Sequence, residues 1–457
     1  MKSIDNNRST KFLLVNPDGE YKKIEVNKGA EAVIITTVDI LKKYFTNAEF
    51  TTTMQLSEKL SNKTNCKIIK NRMFTSRTYS LLTITKSSLD VLRVALYILT
   101  LKKLHILINN KKLNEYVKSD IVVHPGMDLY SDDFGTITVL EHTKDILIAI
   151  LLNKPIIIWA ESIGPFRKFS TKYIAKFALN RVSLITVREN IAKQYLEELG
   201  INKVPIYVTA DPAFLLEPKL TKNVQDILGN NGAKYVGVSL AYLAGNAKKT
   251  KTIKILSFTA KTLSLILPER ILKFLLENGK ASKSYSSSKL KYISMMTSLI
   301  DNIIEEHNVK ILLIPHEEPK VGKEIHEEIK ESSKYKENII LIPYNLDSQE
   351  IKSLIDNCEI FIGGKMHANI AALSQNIPTL GISYSYKFQG IMGLLGQERY
   401  VSNNVTYEDI NSKFNLLWNE KNNIKNELSI KTLQIKNKSN LNGKLVEEYC
   451  INNNIHK

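Results

Sequence analysis

Short runs of Val, Ile and Leu alternate along this chain with amphipathic stretches of helical length, the pattern of parallel sheets covered by helices. In the first half the apolar runs predict strands over 12–16, 105–108, 121–124, 155–159, 184–187 and 206–209, with helices over 30–46, 137–152, 170–181 and 189–199 between them. Gly200, between Leu199 and Ile201, is the glycine expected just past a helix end. The stretch 216–232 is polar, with Asn and Gly, and reads as a linker. A second strand series follows over 235–240, 310–314, 339–342, 360–363 and 379–383. The fold class is therefore α/β, with two Rossmann-like domains at 10–215 and 233–405. An Asn- and Lys-rich tail of helical periodicity, 406–457, is expected to pack back across the first domain. At 457 residues the chain is too long for one ordinary core, which agrees with two domains.

Charge changes this picture in one place. Of the formal net charge of +17, residues 245–291 hold eleven Lys and Arg against two Glu. That insertion, between the first two strands of the second series, lacks interleaved aromatics and any nucleic-acid motif, so nucleic acid is not expected as a partner. Leu256, Ala260, Leu263, Leu267, Ile271 and Phe274 recur at helical spacing, interrupted by Pro268. A basic face opposite an apolar stripe suits peripheral contact with an anionic membrane; the plain alternative is a solvated face packed on the second domain. Three scattered cysteines give neither a disulfide framework nor a metal cluster, and no metal is expected. The apolar runs at 12–15 and 146–152 are too short for a signal-peptide core or a membrane span. A cytoplasmic location, with peripheral attachment at the inner face of the membrane, is the expectation.

Candidate chemistry gathers where strands end. An apolar run reaches Gly363-Gly364, and Lys365 and His367 follow as an Ala-rich helix opens. A glycine turn opening a helix favours an anion, and strand carboxyl ends are where open α/β sheets bind ligands. The next strand delivers Tyr384, Ser385 and Lys387 to the same rim. His316 and Glu317 lie just past another strand, where a histidine could bind or protonate a ligand or serve the structure alone.

In the first half, Asn27-Lys28-Gly29-Ala30-Glu31 suits either a ligand approaching Gly29 and Glu31 or simple helix capping. His124, Gly126, Asp132 and Asp133 suit sugar hydroxyls, with an N-cap by Asp132 or Asp133 as the alternative. Glu161, Ser162 and Gly164 follow a buried strand. Arg188 closes another, placed either to grip an anion or to pair with a carboxylate.

In order and spacing, NKGAEA (27–32), HPGMDLYSDDFG (124–135), ESIGPF (161–166), ITVRE (185–189), ADPAF (210–214), LIPH (313–316) and GGKMHANIAALSQNIPTLGISYSYKFQGI (363–391) resemble the polysaccharide pyruvyl transferase family over roughly 10–395. The resemblance implies a GT-B-like arrangement with the active site in the interdomain cleft. It also implies transfer of a pyruvyl group from phosphoenolpyruvate to sugar hydroxyls of a cell-surface glycan or its lipid-linked precursor, usually forming a ketal. No cofactor beyond that donor is implied.

Carried over by position, His367 is the catalytic residue, with His316 as a second proton source. Lys365 and Arg188 bind anions, joined by Lys387, and Gly29, Glu31, His124, Gly126, Asp132, Ser162 and Gly364 line the substrate site. Two departures stand out. The family pattern usually has Arg at Lys365, so a two-pronged grip becomes a point charge. Glu161 replaces a commoner Gln. The competing reading is a GT-B glycosyltransferase with a nucleotide-sugar donor, since strand-end cations could also clamp a diphosphate. A third is a non-enzymatic scaffold at the membrane surface in which 245–291 is the functional part.

Overall fold

A computed structural model describes residues 9–17, 24–69, 81–100, 110–127, 129–229, 232–240, 280–316, 319–383 and 386–455. The chain divides into two compact units. The first comprises Met1–Glu217, Asp347–Gln349 and Lys431–Lys457; the second comprises Pro218–Leu346 and Glu350–Ile430.

The first unit is built on β1 (Lys11–Leu14), α1 (Lys28–Tyr44), β2 (Glu49–Thr52), α2 (Glu58–Thr64), β3 (Cys66–Ile68), α3 (Leu81–Leu99), α4 (Lys111–Lys118), β4 (Ile121–Pro125), α5 (Thr136–Leu151), β5 (Ile156–Trp159), α6 (Phe169–Leu179), β6 (Leu184–Val187), α7 (Asn190–Glu198) and β7 (Ile206–Val208). All seven strands run parallel in the order β3-β2-β1-β4-β5-β6-β7. The strand order reverses between β1 and β4, the doubly wound switch point. IVVHP, IIIW and LITV are buried at every position, as a sheet covered on both faces requires.

The second unit repeats the plan with α8 (Lys222–Leu228), β8 (Tyr235–Ser239), α9 (Lys280–His307), β9 (Lys310–Leu313), α10 (Pro319–Ser332), β10 (Ile339–Leu341), α11 (Ser348–Asp356, its first two residues belonging to the first unit), β11 (Cys358–Gly363), α12 (Met366–Leu373), β12 (Thr379–Ile382), α13 (Tyr386–Leu394), β13 (Val401–Ser402) and the 46-residue α14 (Tyr407–Asn452). Its parallel sheet has the order β10-β9-β8-β11-β12-β13, with the reversal between β8 and β11. Residues of α14 up to Ile430 belong to the second unit and those from Lys431 to the first. There Asn442 donates to the Ala210 carbonyl and Ser439 to that of Asp211.

Several elements differ from expectation. β2 (EFTT), β3 and the two-residue β13 carry no apolar run of their own and owe their conformation to pairing with a neighbour. The stretch 216–232 is more than a linker: it holds α8, whose Val224 is fully buried in the second unit's core. The end of the basic insertion is the beginning of α9 and not a separate piece. Lys289 there pairs with Glu328 at 2.6 Å and Glu324 at 3.4 Å. The strand expected at 105–108, the apolar stripe 256–274, and Asp128, Glu317, Tyr384, Ser385 and the Lys387 side chain lie outside the described residues. No described helix is long and apolar enough to cross a membrane.

Candidate functional site

In the first unit, the strand ends deliver polar side chains that are largely engaged with one another. His124, the last residue but one of β4, has no exposure; its Nε2 lies 3.0 Å from Nδ1 of His142 on α5. Its Nδ1 is 3.2 Å from Oε2 of Glu161, just past β5, an ion-pair distance without the alignment of a hydrogen bond. The ring of Tyr130 stacks on His142 at 5.3 Å. Glu161, His124 and His142 thus form a fully buried row whose ligand-type atoms lie within 4.8 Å of one another. Beside it, Lys112 reaches Asp145 at 3.1 Å, and Lys144 reaches Glu141 at 2.9 Å. Burial alone would raise the Asp145 carboxyl, but Lys112 and Lys144 outweigh it and hold Asp145 well below the usual carboxylate range.

This packing revises several expectations. His124 is not presented to a sugar; its ring is committed to His142 and Glu161. Gly126 is required by packing, because a Cβ there would stand 2.5 Å from the Ala160 carbonyl oxygen. Asp132 Oδ2 accepts from the backbone of Arg167 and Lys168 and from the Thr171 hydroxyl, which fastens the start of α6. Arg188 has no exposure: its guanidinium pairs with Asp211, lies 3.6 Å from Glu189 and donates to Ser162 Oγ at 2.8 Å. Two carboxylates compensate one cation, so gripping a donor would require Asp211 to yield it.

At the opening helix, Asn27 Oδ1 accepts from the amides of Gly29 (3.0 Å) and Ala30 (3.2 Å), so capping chemistry occupies that turn. Glu31 is 3% exposed and accepts from the Ser348 amide at 3.2 Å. Burial is the largest influence on its carboxyl, and with Asp347 nearby it pushes the pKa up to about 7 despite Lys28.

The second unit gathers its candidate groups at the carboxyl end of its own sheet. Four adjacent parallel strands, β9-β8-β11-β12, end level with one another: Val238 pairs with Leu313, Ser239 with Gly363, and Gly363 with Gly381. Just beyond those ends stand His316, Ser239, Gly364-Lys365-Met366-His367 and Ser383. Gly364 donates to the Ser239 carbonyl at 2.8 Å, and the buried Ser239 Oγ has no hydrogen-bond partner among the described residues. Gly363 must lack a side chain, because a Cβ would fall 1.6 Å from Asn369 Oδ1, while Asn369 Nδ2 donates back to the Gly363 carbonyl at 3.2 Å. The N-cap residue of α12 is Lys365, 9% exposed, which makes no side-chain capping bond because an ammonium has no acceptor. So two strand–glycine–helix turns that look alike in sequence differ: Asn27 closes the first, while a cation stands at the positive end of the second. That arrangement suits an anion, the ammonium adding to the helix dipole.

The structure therefore groups Lys365, Gly364 and His367 with His316 at one sheet end in the second unit, and separately joins Ser162 to Arg188 and His124 to Glu161 in the first. Sequence reasoning passed over Ser239, a serine ending an apolar strand. It also passed over His142, hidden in a helix that reads as apolar. The signal for His142 was the spacing of Thr138, Glu141, His142 and Asp145, polar residues at helical period in the first half of an element whose second half is apolar.

Comparison with known proteins agrees with this architecture. The family profile for polysaccharide pyruvyl transferase matches residues 27–386, well over half of the chain. The amylovoran biosynthesis protein AmsJ of Erwinia amylovora is 24% identical over 286 residues; the match covers 62% of this chain and 61% of that relative's length. Among solved structures, a putative UDP-N-acetylglucosamine 2-epimerase from Listeria monocytogenes superposes with a TM-score of 0.56 at 11% identity, covering 92% of this chain and 91% of that one. The Neisseria meningitidis UDP-GlcNAc 2-epimerase bound to UDP-GlcNAc gives 0.56 at 14% identity, over 97% and 100% of the two chains. A Rickettsia africae glycosyltransferase gives 0.51 at 11% identity, over 97% and 98%. At such identities these likenesses speak to fold alone, that of GT-B-type proteins with two parallel-sheet α/β domains. On the profile match across most of its length, this chain belongs to the polysaccharide pyruvyl transferase family.

Proposed function

We propose that this protein transfers a pyruvyl group from phosphoenolpyruvate to hydroxyls of a glycan or its lipid-linked precursor. The reading rests on family membership and, in the structure, on one observation above all: a lysine N-cap at α12 follows Gly364, whose amide donates to the Ser239 carbonyl, and His367 stands one residue into the helix. Phosphoenolpyruvate is a small trianion at neutral pH, so it suits a helix N-terminus with an ammonium at its mouth.

In this reading Lys365 and the α12 amides hold the phosphate or carboxylate, and His367 protonates the methylene carbon, with His316 as the second proton source. Protonation leaves an oxocarbenium-like centre at C2. A sugar hydroxyl adds there and loses its proton, phosphate departs with its bonding pair, and a second hydroxyl closes the ketal with loss of another proton. General acid catalysis of this kind supplies roughly 10²–10⁴ in rate. Lys387 and the contact of 245–291 with an anionic membrane belong to the same reading, as does action in the cytoplasm on a cell-envelope precursor. Arg188 enters it as the residue that fixes Ser162 and Asp211, and holds the donor only if Asp211 releases it.

The fold neighbours include proteins crystallised with nucleotide sugar, which keeps a nucleotide-sugar donor as the competing reading. Thermal unfolding separates them. Phosphoenolpyruvate at saturating concentration should raise Tm while UDP-GlcNAc leaves it unchanged. Stabilisation by UDP-GlcNAc alone would overturn the proposal.

A further inference from the structure

The outer face of α6 is built the wrong way round for a helix of a soluble domain. Its inner side is ordinary: Thr171, Ala175, Ala178 and Leu179 are buried. Its outer side carries Phe169, Tyr173 and Phe177, one helical turn apart, at 86%, 67% and 42% exposure. Phe169 and Tyr173 stack with ring centroids 6.3 Å apart, and the Arg181 guanidinium lies 3.7 Å over the Phe177 ring, so the row is an ordered surface. A monomer rarely displays three aromatic rings in line unless something covers them.

The charge around the row says what does. Residues 162–187 contain Arg167, Lys168, Lys172, Lys176 and Arg181, all exposed, and no Asp or Glu. Two acids at the N-terminal end of α6 are spent on local structure: Asp132 fastens the first turn, and Asp133 pairs with Arg167. At its C-terminal end Glu197 and Glu198 of α7 precede Gly200, whose carbonyl accepts from Asn180. Aromatic rings level with a band of Lys and Arg is the chemistry of a bilayer interface, where rings sit among headgroups and cations meet anionic lipid.

We propose that α6 docks flat on an anionic membrane surface, with Phe169, Tyr173 and Phe177 entering the headgroup layer and Lys172, Lys176 and Arg181 on lipid phosphates. The inference is independent of the donor's identity and stands or falls without it. It concerns an element remote in sequence from the basic insertion at 245–291. Because Asp132 clamps the start of α6 to the body of the unit, the helix is presented already formed and binding needs no refolding.

The test is co-sedimentation of the full chain with vesicles of phosphatidylcholine alone and of phosphatidylcholine with one third phosphatidylglycerol. The wild-type chain should bind the anionic vesicles at least about tenfold more tightly, with affinity falling as salt rises. The triple variant Phe169→Ser/Tyr173→Ser/Phe177→Ser should lose about tenfold or more in anionic-vesicle affinity. Lys172→Glu/Lys176→Glu should bind the phosphatidylglycerol vesicles several-fold more weakly than wild type, the remaining preference being that of the 245–291 stretch. An unchanged Tm in each variant establishes that the fold survives. Binding by the triple variant equal to wild type would overturn the proposal. So would an aromatic-dependent dimer in light scattering with vesicle binding unaffected, which would assign the row to a second copy of this chain.

Discussion

His142 Nδ1 lies 3.0 Å from His124 Nε2, with neither ring exposed to solvent. At that distance one of the two nitrogens carries a proton and the other accepts it, so the state of each ring is tied to that of its neighbour. Replacing His142 by Phe keeps the ring that stacks on Tyr130 but leaves His124 Nε2 without this partner. The expected loss is about 1–3 kcal/mol of stability. Urea unfolding would register it as a lower midpoint at unchanged slope; an unchanged midpoint would mean that the two rings are not coupled.

Arg188 and Asp211 form a pair sealed from solvent, and removing one partner strands the other. Arg188→Met should cost about 3–5 kcal/mol, and the double variant Arg188→Met/Asp211→Leu should recover part of that loss. Asp211 also accepts from the Ala213 amide at 2.9 Å, so recovery will be incomplete. If Arg188 instead served the donor, the single variant would keep its stability and lose the rise in Tm with phosphoenolpyruvate.

Glu31 makes stability fall as the solution turns alkaline. Its folded pKa of about 7 stands above the ordinary 4.5, so between those values the folded state binds more protons than the unfolded one. Stability contributed by this group is complete below pH 4.5 and is lost as pH rises through 7, by about 3 kcal/mol at most. Glu31→Gln keeps an acceptor for the Ser348 amide and removes the titration. The variant should match wild type at pH 5 and exceed it at pH 8; equal stability at both pH values would show that Glu31 titrates normally.

Gly363→Ala drives a methyl group into Asn369, a side chain only 1% exposed and tied to the Gly363 carbonyl. Overpacking of this kind costs roughly 1–3 kcal/mol. The double variant Gly363→Ala/Asn369→Ala should be markedly less destabilised than the sum of the two single ones, read from the same urea midpoints. Simple additivity would show that the two residues do not meet.

The fold was legible where the chain itself carries the pattern. Buried strands such as IIIW and LITV announce themselves because both faces of a parallel sheet are covered. EFTT and the two-residue β13 do not, because their strand character comes from the partner and not from their own side chains.

The candidate site divides along the same line. Lys365, His367 and His316 were visible as groups placed just past apolar runs, a local feature. Whether a group at such a position faces a ligand or another side chain is a long-range fact. Arg188 meets a carboxylate 23 residues on, and His124 a ring 18 residues on, and nothing local announces either partner. The Asn27 cap and the Lys365 N-cap differ by whether the side chain can accept a hydrogen bond, a difference that sequence does show once the helix start is known.

We propose that the lysine-capped end of α12 handles phosphoenolpyruvate beside His367. Purified protein, phosphoenolpyruvate and an extract of lipid-linked glycans should yield a pyruvyl mass gain on the glycan with release of inorganic phosphate. The His367→Ala protein, equally folded, should give neither. No mass gain with the wild-type protein across such extracts, or full turnover by His367→Ala, would rule out pyruvyl transfer at this helix end.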